Sequence, residues 1–181
     1  FIFERKGIIF MQGLLILQNG FEDCEALVTR ALLKNNGFEV TTLTFNNSLD
    51  VVSASDLMVK ADISKNVIYD KYDFLIIPGG PYVKDVIENE HDSLKNILNI
   101  IKIFSDSNKI IAAICAAPAF LGKLNLLKNN SFTCFPGYEI YIKEGKYCPD
   151  KMTVVSGNFV TSQSPWTVLD FVNVLLKTLN K

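Results

Sequence analysis

The sequence has few of the residues from which metal and nucleotide sites are built. It contains one histidine, His91, and four cysteines, none of which form a CxxC pair. It also lacks the phosphate-binding GxxxxGK[ST] pattern and the dinucleotide-binding GxGxxG pattern. We therefore expect no metal, nucleotide or dinucleotide cofactor.

The sequence also lacks an excess of charge of either sign. Eighteen basic and nineteen acidic side chains give a net charge of -1, so no bulk field attracts the chain to nucleic acid or to an anionic membrane. The longest apolar stretch, Ile110 to Gly122, is shorter than the roughly 20 residues that span a bilayer. We expect neither a nucleic-acid partner nor a membrane.

The four cysteines are too few for a secreted domain that is stabilised by disulfide bonds. We therefore expect a reducing, cytoplasmic location.

The first ten residues differ from the rest of the chain. Arg5 and Lys6 precede an apolar run, as in a secretory signal, but no small-x-small cleavage site follows. The chain begins with Phe1 rather than methionine, and Met11 stands just before the first strand-like run. We predict that residues 1–10 are an N-terminal extension. Residues 11–181 then form one domain, whose length and 49% hydrophobic content suffice for a sizeable core.

Strand-like and helical patterns alternate along this domain. Strands are predicted at 13–17, 38–45, 72–78 and 109–114, with short β segments near 132, 152–155 and 158–161. Helices are predicted at 21–36, at 91–106, from about 116, and at 165–179. Continuous apolar strands alternating with helices predict a mainly parallel sheet covered on both faces. Ligands of such sheets bind beyond the carboxyl ends of the strands.

One cysteine follows a buried strand at such an end. In Ile111-Ala-Ala-Ile-Cys-Ala-Ala-Pro118, small residues flank Cys115 and allow the sharp turn of a nucleophile elbow. The positive end of the following helix favours a thiolate, so we expect a lowered pKa for Cys115. The alternative is an inert, buried cysteine, which is the commoner role of this residue.

Two further segments reach the same edge of the sheet. Asn19-Gly-Phe-Glu-Asp-Cys-Glu25 follows the first strand with three carboxylates, one of which can face Cys115 as an acid or base. Simple helix capping explains Glu22 and Asp23 equally well. Pro78-Gly-Gly-Pro81 ends another strand, and its glycines Gly79 and Gly80 allow the backbone to approach a ligand and to direct N–H groups at an anion. An ordinary turn is the alternative there.

Four motifs together resemble the ThiJ/PfpI superfamily, and most closely its DJ-1-like branch. They are spread in the expected order over nearly the whole chain: Gly20-Phe-Glu-Asp-Cys-Glu25-Ala, Ile77-Pro-Gly-Gly80, Ala112-Ala-Ile-Cys115-Ala-Ala-Pro118 and Thr161-Ser-Gln-Ser-Pro165. The resemblance implies a flavodoxin-like three-layer α/β/α sandwich and a homodimer. It further implies that Cys115 is the reactive, oxidation-prone cysteine, that Glu25 is its paired acid, and that Gly80 and Ala116 supply backbone N–H groups beside the sulfur.

The sequence departs from the superfamily pattern at three places. Phe135, in Thr133-Cys-Phe-Pro136, stands where some members carry a histidine near the cysteine. Ala116 replaces the histidine of the protease-like branch, which argues against peptidase activity. Ser164-Pro-Trp166-Thr replaces a glycine-rich turn, so that Trp166 either narrows the pocket or packs in the interior. The pocket candidates are Gly79, Phe135, Pro136 and Trp166.

The resemblance leaves three functions open. In the first, Cys115 attacks small carbonyl compounds, as in the glyoxalase or deglycase activities attributed to relatives, with Glu25 moving the proton. Alternatively, peroxide oxidises Cys115 to a sulfinate in a redox sensor of the oxidative-stress response. In the third case the domain serves as a chaperone-like dimer without chemistry, because a fold does not fix a function. His91 opens a helix and is expected at the surface.

Overall fold

A computed structural model describes residues 11–65 and 67–180. Its centre is a six-stranded sheet. The strands are β1 Gln12–Ile16, β2 Glu39–Leu43, β5 Phe74–Ile77, β6 Ile110–Ile114, β9 Thr153–Ser156 and β10 Phe159–Ser162. They lie in the order β2-β1-β5-β6-β10-β9. All neighbouring pairs are parallel except β9 and β10, which form an antiparallel pair at one edge. The predicted extension, residues 1–10, lies outside the described residues.

Helices cover the sheet in two groups. They are α1 Thr29–Asn35, α2 Tyr82–Glu88, α3 Asp92–Asp106, α4 Pro118–Lys123 and α5 Val168–Leu179. The helix α1 packs against α5, whereas α2 and α4 both pack against α3. Two small accessory sheets complete the fold: β3 Asp50–Val52 with β4 Met58–Lys60, and β7 Ser131–Phe132 with β8 Lys146–Tyr147. The mainly parallel, flavodoxin-like α/β/α architecture predicted from the sequence is therefore confirmed.

The central strands are apolar along their whole length because helices cover both of their faces. Every residue of β5 is fully buried, and so are Ile111 to Ile114 of β6. The amphipathic helix α3 adds Ile97, Ile101 and Phe104 to this core. The parallel register brings the carboxyl ends of β1, β5 and β6 to one edge, where the three motif segments leave the sheet.

Three local features differ from the prediction. The helix predicted at 21–36 begins as a π-helical stretch, Cys24–Val28, and only then continues as α1. The helix expected from about Ala116 begins at Pro118, whose missing N–H suits the first turn of a helix. The helix α2 and the β3–β4 hairpin were not predicted, because each is too short to show a clear periodicity. No helix in residues 11–65 and 67–180 is long and apolar enough to cross a membrane.

Candidate active site

Cys115 sits at a strained turn between β6 and α4. Its φ angle is +63°, in the left-handed region that non-glycine residues rarely adopt and that costs about 1–3 kcal/mol. Two backbone hydrogen bonds hold the turn: Cys115 N donates to Ser162 O at 2.9 Å, and Phe135 N donates to Cys115 O at 2.8 Å. The side chain is 8% exposed. The fold thus fixes the sulfur at the strand end and leaves it a narrow opening to solvent.

Glu25 is buried next to this sulfur. The π-helical stretch carries it inward, and the residue has no exposed surface. Its Oε2 accepts a hydrogen bond of 2.7 Å from Gly79 N, whereas its Oε1 has no hydrogen-bond partner among the described residues. Glu25 Oε2 and Cys115 Cβ both lie beside Gly79, so the carboxyl group and the thiol are neighbours. The structure therefore brings together Cys115 and Glu25, which the sequence places 90 residues apart.

Burial controls the protonation of both groups. It raises the pKa of Glu25 from 4.5 to about 7, although hydrogen bonds from Cys115 and Gly79 act in the opposite direction. Burial also raises the pKa of the Cys115 thiol, and the neighbouring Glu25 carboxylate raises it further. Because each negative charge opposes the other, the pair holds at most one charge near neutral pH.

The expectation of a lowered pKa for Cys115 was wrong. The Ala116 N–H does interact with the sulfur and favours the thiolate. However, α4 is only six residues long, so its helix dipole is small, and burial together with the Glu25 charge outweighs it. A thiolate forms here most readily when Glu25 carries the proton.

Gly79 and Gly80 lie where a side chain does not fit. A Cβ on Gly79 would lie 2.8 Å from Cys115 Cβ and 2.9 Å from Glu25 Oε2. A Cβ on Gly80, whose φ is +128°, would clash with the backbone oxygen of Gly20. Gly79 N–H is engaged by Glu25, whereas Gly80 N–H has no acceptor within the described residues. Gly80 N–H is therefore a free donor at the site.

A small pocket of about 230 Å³ opens beside the sulfur, and its accessible surface is almost entirely apolar. It is lined by Glu22, Gly80, Pro81, Cys115, Ala116, Phe135, Tyr138 and Pro165. Phe135 was predicted for it, but Tyr138 and Pro165 were not. Tyr138 packs against the Phe135 ring at a centroid distance of 6.3 Å. A tyrosine three residues after the predicted Phe135 gave no distinctive sequence signal.

Three of the predicted pocket residues do not line the pocket. Gly79 lies behind the pocket, between Cys115 and Glu25. Trp166 is 93% exposed, so both the interior packing and the pocket-narrowing role predicted for it are wrong. The reason is local: Pro165–Thr167 forms a 3₁₀ turn closed by a capping box between Ser164 and Thr167, and this turn directs Trp166 outward. Pro136 is exposed and does not line the pocket, although its neighbour Phe135 does.

The remaining polar candidates have structural partners. Glu22 Oε2 accepts a hydrogen bond of 2.8 Å from Glu25 N, so the capping alternative applies to Glu22. Asp23 does not cap; its Oδ1 accepts a hydrogen bond of 2.7 Å from Ser55 Oγ and ties the helix start to the hairpin loop. His91 is exposed at the start of α3, as expected, with its Nε2 at 3.5 Å from Asp85 Oδ2. No cluster of three potential metal ligands occurs within the described ranges.

Comparison with known proteins assigns this arrangement to a family. The model of the DJ-1/PfpI family matches residues 11–178. Protein dj-1beta of Drosophila melanogaster is 30% identical over 161 residues, which cover 88% of this chain and 84% of that protein. A deglycase from Pyrococcus horikoshii is 29% identical over 171 residues, covering 93% and 99%. The structure of oxidized DJ-1 from Toxoplasma gondii superimposes with a TM-score of 0.81 at 26% identity, covering 93% and 90%. The chain belongs to the DJ-1/PfpI family, in its DJ-1-like branch, as its four motifs predicted.

Proposed function

We propose that the protein is an enzyme of glyoxalase or deglycase type, in which Cys115 attacks a small carbonyl compound and Glu25 moves the proton. The observation that carries the proposal is the buried Glu25, with a carboxyl pKa of about 7, next to Cys115, which itself lines an apolar pocket. An acid whose pKa lies near neutral pH is suited to both giving and taking a proton. The Pyrococcus horikoshii relative named a deglycase supports the reaction class.

The geometry supports a defined sequence of steps for an α-oxoaldehyde. The Cys115 sulfur adds to the aldehyde carbon, and the carbonyl oxygen takes a proton to give a hemithioacetal. Glu25 then removes the proton from that carbon and returns one to the adjacent carbon, while the hydroxyl proton moves to the neighbouring ketone oxygen, which yields the thioester of a 2-hydroxy acid. Water hydrolyses the thioester, releases the hydroxy acid and restores the thiol. The net change is addition of one water, with no external oxidant or reductant.

The backbone donors assist the first step. Gly80 N–H, which has no acceptor in the described part of the chain, is available for the developing oxyanion. Ala116 N–H interacts with the sulfur and stabilises its negative charge when it forms. No histidine lines the pocket, and of the two carboxylates that affect Cys115, Glu25 has a larger effect than Glu22, so Glu25 is the proposed proton carrier. We therefore expect slow turnover. The alanine at position 116 leaves a peptidase role unsupported.

Lactate formation from methylglyoxal tests this proposal. The wild type should produce lactate, Cys115→Ala should produce none, and Glu25→Gln should be slower by about a hundredfold or more, the usual contribution of a general acid or base. Cys134→Ala is the matched control, because Cys134 is also a buried thiol but does not line the pocket. Equal rates for the wild type and Cys115→Ala would refute the proposal.

Oxidation of Cys115 to a sulfinate is the second candidate, favoured by the Ala116 N–H at the sulfur, by the unengaged Gly80 N–H that lines the same pocket, and by the oxidized Toxoplasma gondii relative. Mild peroxide should add two oxygen atoms to the intact protein, and this gain should be absent in Cys115→Ser. If the added oxygen instead maps to the exposed Cys24 or to Cys148, Cys115 is not the redox-active residue.

A further inference from the structure

A second cleft lies at the same edge of the sheet as Cys115, but it shares no lining residue with the Cys115 pocket. Its volume is about 310 Å³, and more than half of its accessible surface is polar. Residues that follow β1 and β2 form one side, and residues of α2 and of the start of α3 form the other. The buried Tyr82 ring lines the cleft, while its hydroxyl donates to Pro78 O at 2.8 Å, on the side of the catalytic pair.

The cleft occupies the position where the order of the strands reverses. From β1 the chain proceeds to β2 on one side and then to β5 on the other side of β1. The connections that leave β1 and β5 therefore diverge, and ligands of open α/β sheets bind in the crevice between them. Gln18 and Asn19, after β1, and Tyr82 and Asp85, after β5, belong to these connections.

One side chain in the cleft lacks a partner. Gln18 is 6% exposed, and its Nε2 has no hydrogen-bond acceptor within the described residues. A buried polar group without a partner is costly, so native proteins pair nearly all of them with protein, water or ligand. An oxygen atom from a bound molecule would satisfy this amide. Gln18 Nε2 is thus a buried donor that is available to a bound molecule.

The other lining groups define the chemistry of that molecule. Asn46 Nδ2 is bonded to Asn19 Oδ1 at 3.0 Å, which leaves the Asn46 oxygen as an acceptor. Asp85 supplies a carboxylate, whose Oδ1 accepts a hydrogen bond of 2.7 Å from Asn89 Nδ2 and which keeps further lone pairs for a ligand, and Ser93 supplies a hydroxyl. No lysine or arginine among the described residues lines the cleft. An anionic ligand would therefore be repelled by the Asp85 carboxylate, and His91, 3.5 Å from that carboxylate, is already its neighbour. Mixed donors and acceptors without net positive charge match hydroxyl groups, each of which both donates and accepts.

We propose that this cleft binds a neutral polyhydroxylated small molecule, the size of one sugar ring, whose hydroxyls pair with Gln18, Asn46 and Asp85. The rings of Phe45 and Tyr82 provide an apolar wall for its carbon face. The volume is at the lower end of the range of small-molecule sites, which limits the ligand to about one ring. This site is independent of the chemistry of Cys115.

Titration of the ¹⁵N-labelled protein with methyl α-D-glucopyranoside, followed by amide NMR shifts, tests the proposal. This glycoside has no free aldehyde, so Cys115 cannot react with it. Saturable shifts are expected at Asn19, Asn46 and Ser93, with a Kd of about 1–10 mM, and gluconate should bind about tenfold more weakly. Gln18→Leu and the exposed Asp85→Ala should each weaken binding severalfold, whereas Asn173→Ala, on the exposed face of α5, should not.

Several results would overturn it. Shifts that do not saturate by about 100 mM, or that occur only around Phe135 and Tyr138, would show that the cleft is not a sugar site. Tighter binding of gluconate would reverse the inferred charge preference. If neither Asp85→Ala nor Gln18→Leu changes the affinity for the glycoside, these two residues do not bind it and the proposal fails. If Gln18→Leu does not fold, the result for Asp85→Ala alone decides.

Discussion

Replacing Glu25 by glutamine should make the protein more stable at alkaline pH and leave it nearly unchanged at acid pH. Burial raises the pKa of this carboxyl from 4.5 to about 7, so the folded state holds its proton more tightly than the unfolded state does. The stabilisation that comes with this proton is fully present below about pH 4.5 and is lost as the pH rises through about 7. Glutamine keeps an oxygen for the Gly79 N–H bond and has no proton to lose.

The size of the effect follows from the two pKa values. The rise of the Glu25 pKa from 4.5 to about 7 lowers the free energy of unfolding of the wild type, relative to its value at low pH. The loss is about 3 kcal/mol at pH 8 and about 1 kcal/mol or less at pH 5. The difference in unfolding free energy between Glu25→Gln and the wild type should therefore grow by about 2 kcal/mol between these pH values. Burial and the Glu25 charge raise the pKa of the Cys115 thiol, so the thiol ionises at a higher pH than Glu25 does.

Urea unfolding at pH 5 and pH 8 measures this change. The wild type, Glu25→Gln and Glu90→Gln should be compared, because the exposed Glu90 loses the same charge without any change in burial. Glu90→Gln should follow the wild type at both pH values. If Glu25→Gln and the wild type differ by the same amount at pH 5 and pH 8, Glu25 is not protonated near neutral pH, and its assignment as the proton carrier fails.

Three further predictions concern the groups around this pair. Iodoacetamide should alkylate Cys115 about tenfold faster in Glu25→Gln than in the wild type at pH 8, because the charge that opposes the thiolate is gone; slower alkylation would contradict the cause assigned to the raised pKa. Gly79→Ala should lower the free energy of unfolding by about 1–3 kcal/mol, because its Cβ would lie 2.8 Å from Cys115 Cβ. An unchanged urea midpoint would show that the backbone shifts without cost. Tyr82→Phe leaves the Pro78 carbonyl without its buried donor and should cost about 1–2 kcal/mol; an unchanged Tm would show that this bond contributes nothing.

The sequence determined the architecture because the patterns that specify it are local. The apolar run of β6 reads as a strand buried on both faces, and Ile97, Ile101 and Phe104 give α3 one buried stripe. The four motifs identified the family, since their residues and order are specific. Cys115 and Glu25 could be named as candidates for the same reason.

Tertiary structure alone decided how the site works. The protonation of Cys115 and Glu25 depends on how deeply each is buried and on the charge of the other. The residues next to Cys115 in the sequence show neither its burial nor the nearby carboxylate. The π-helical turn that buries Glu25 shows no periodicity that distinguishes it from an α-helix. Trp166, expected to pack or to narrow the pocket, is turned to solvent by a capping box. The cleft beside Gln18 arises where segments from four elements converge, and such long-range convergence leaves no signal in local sequence.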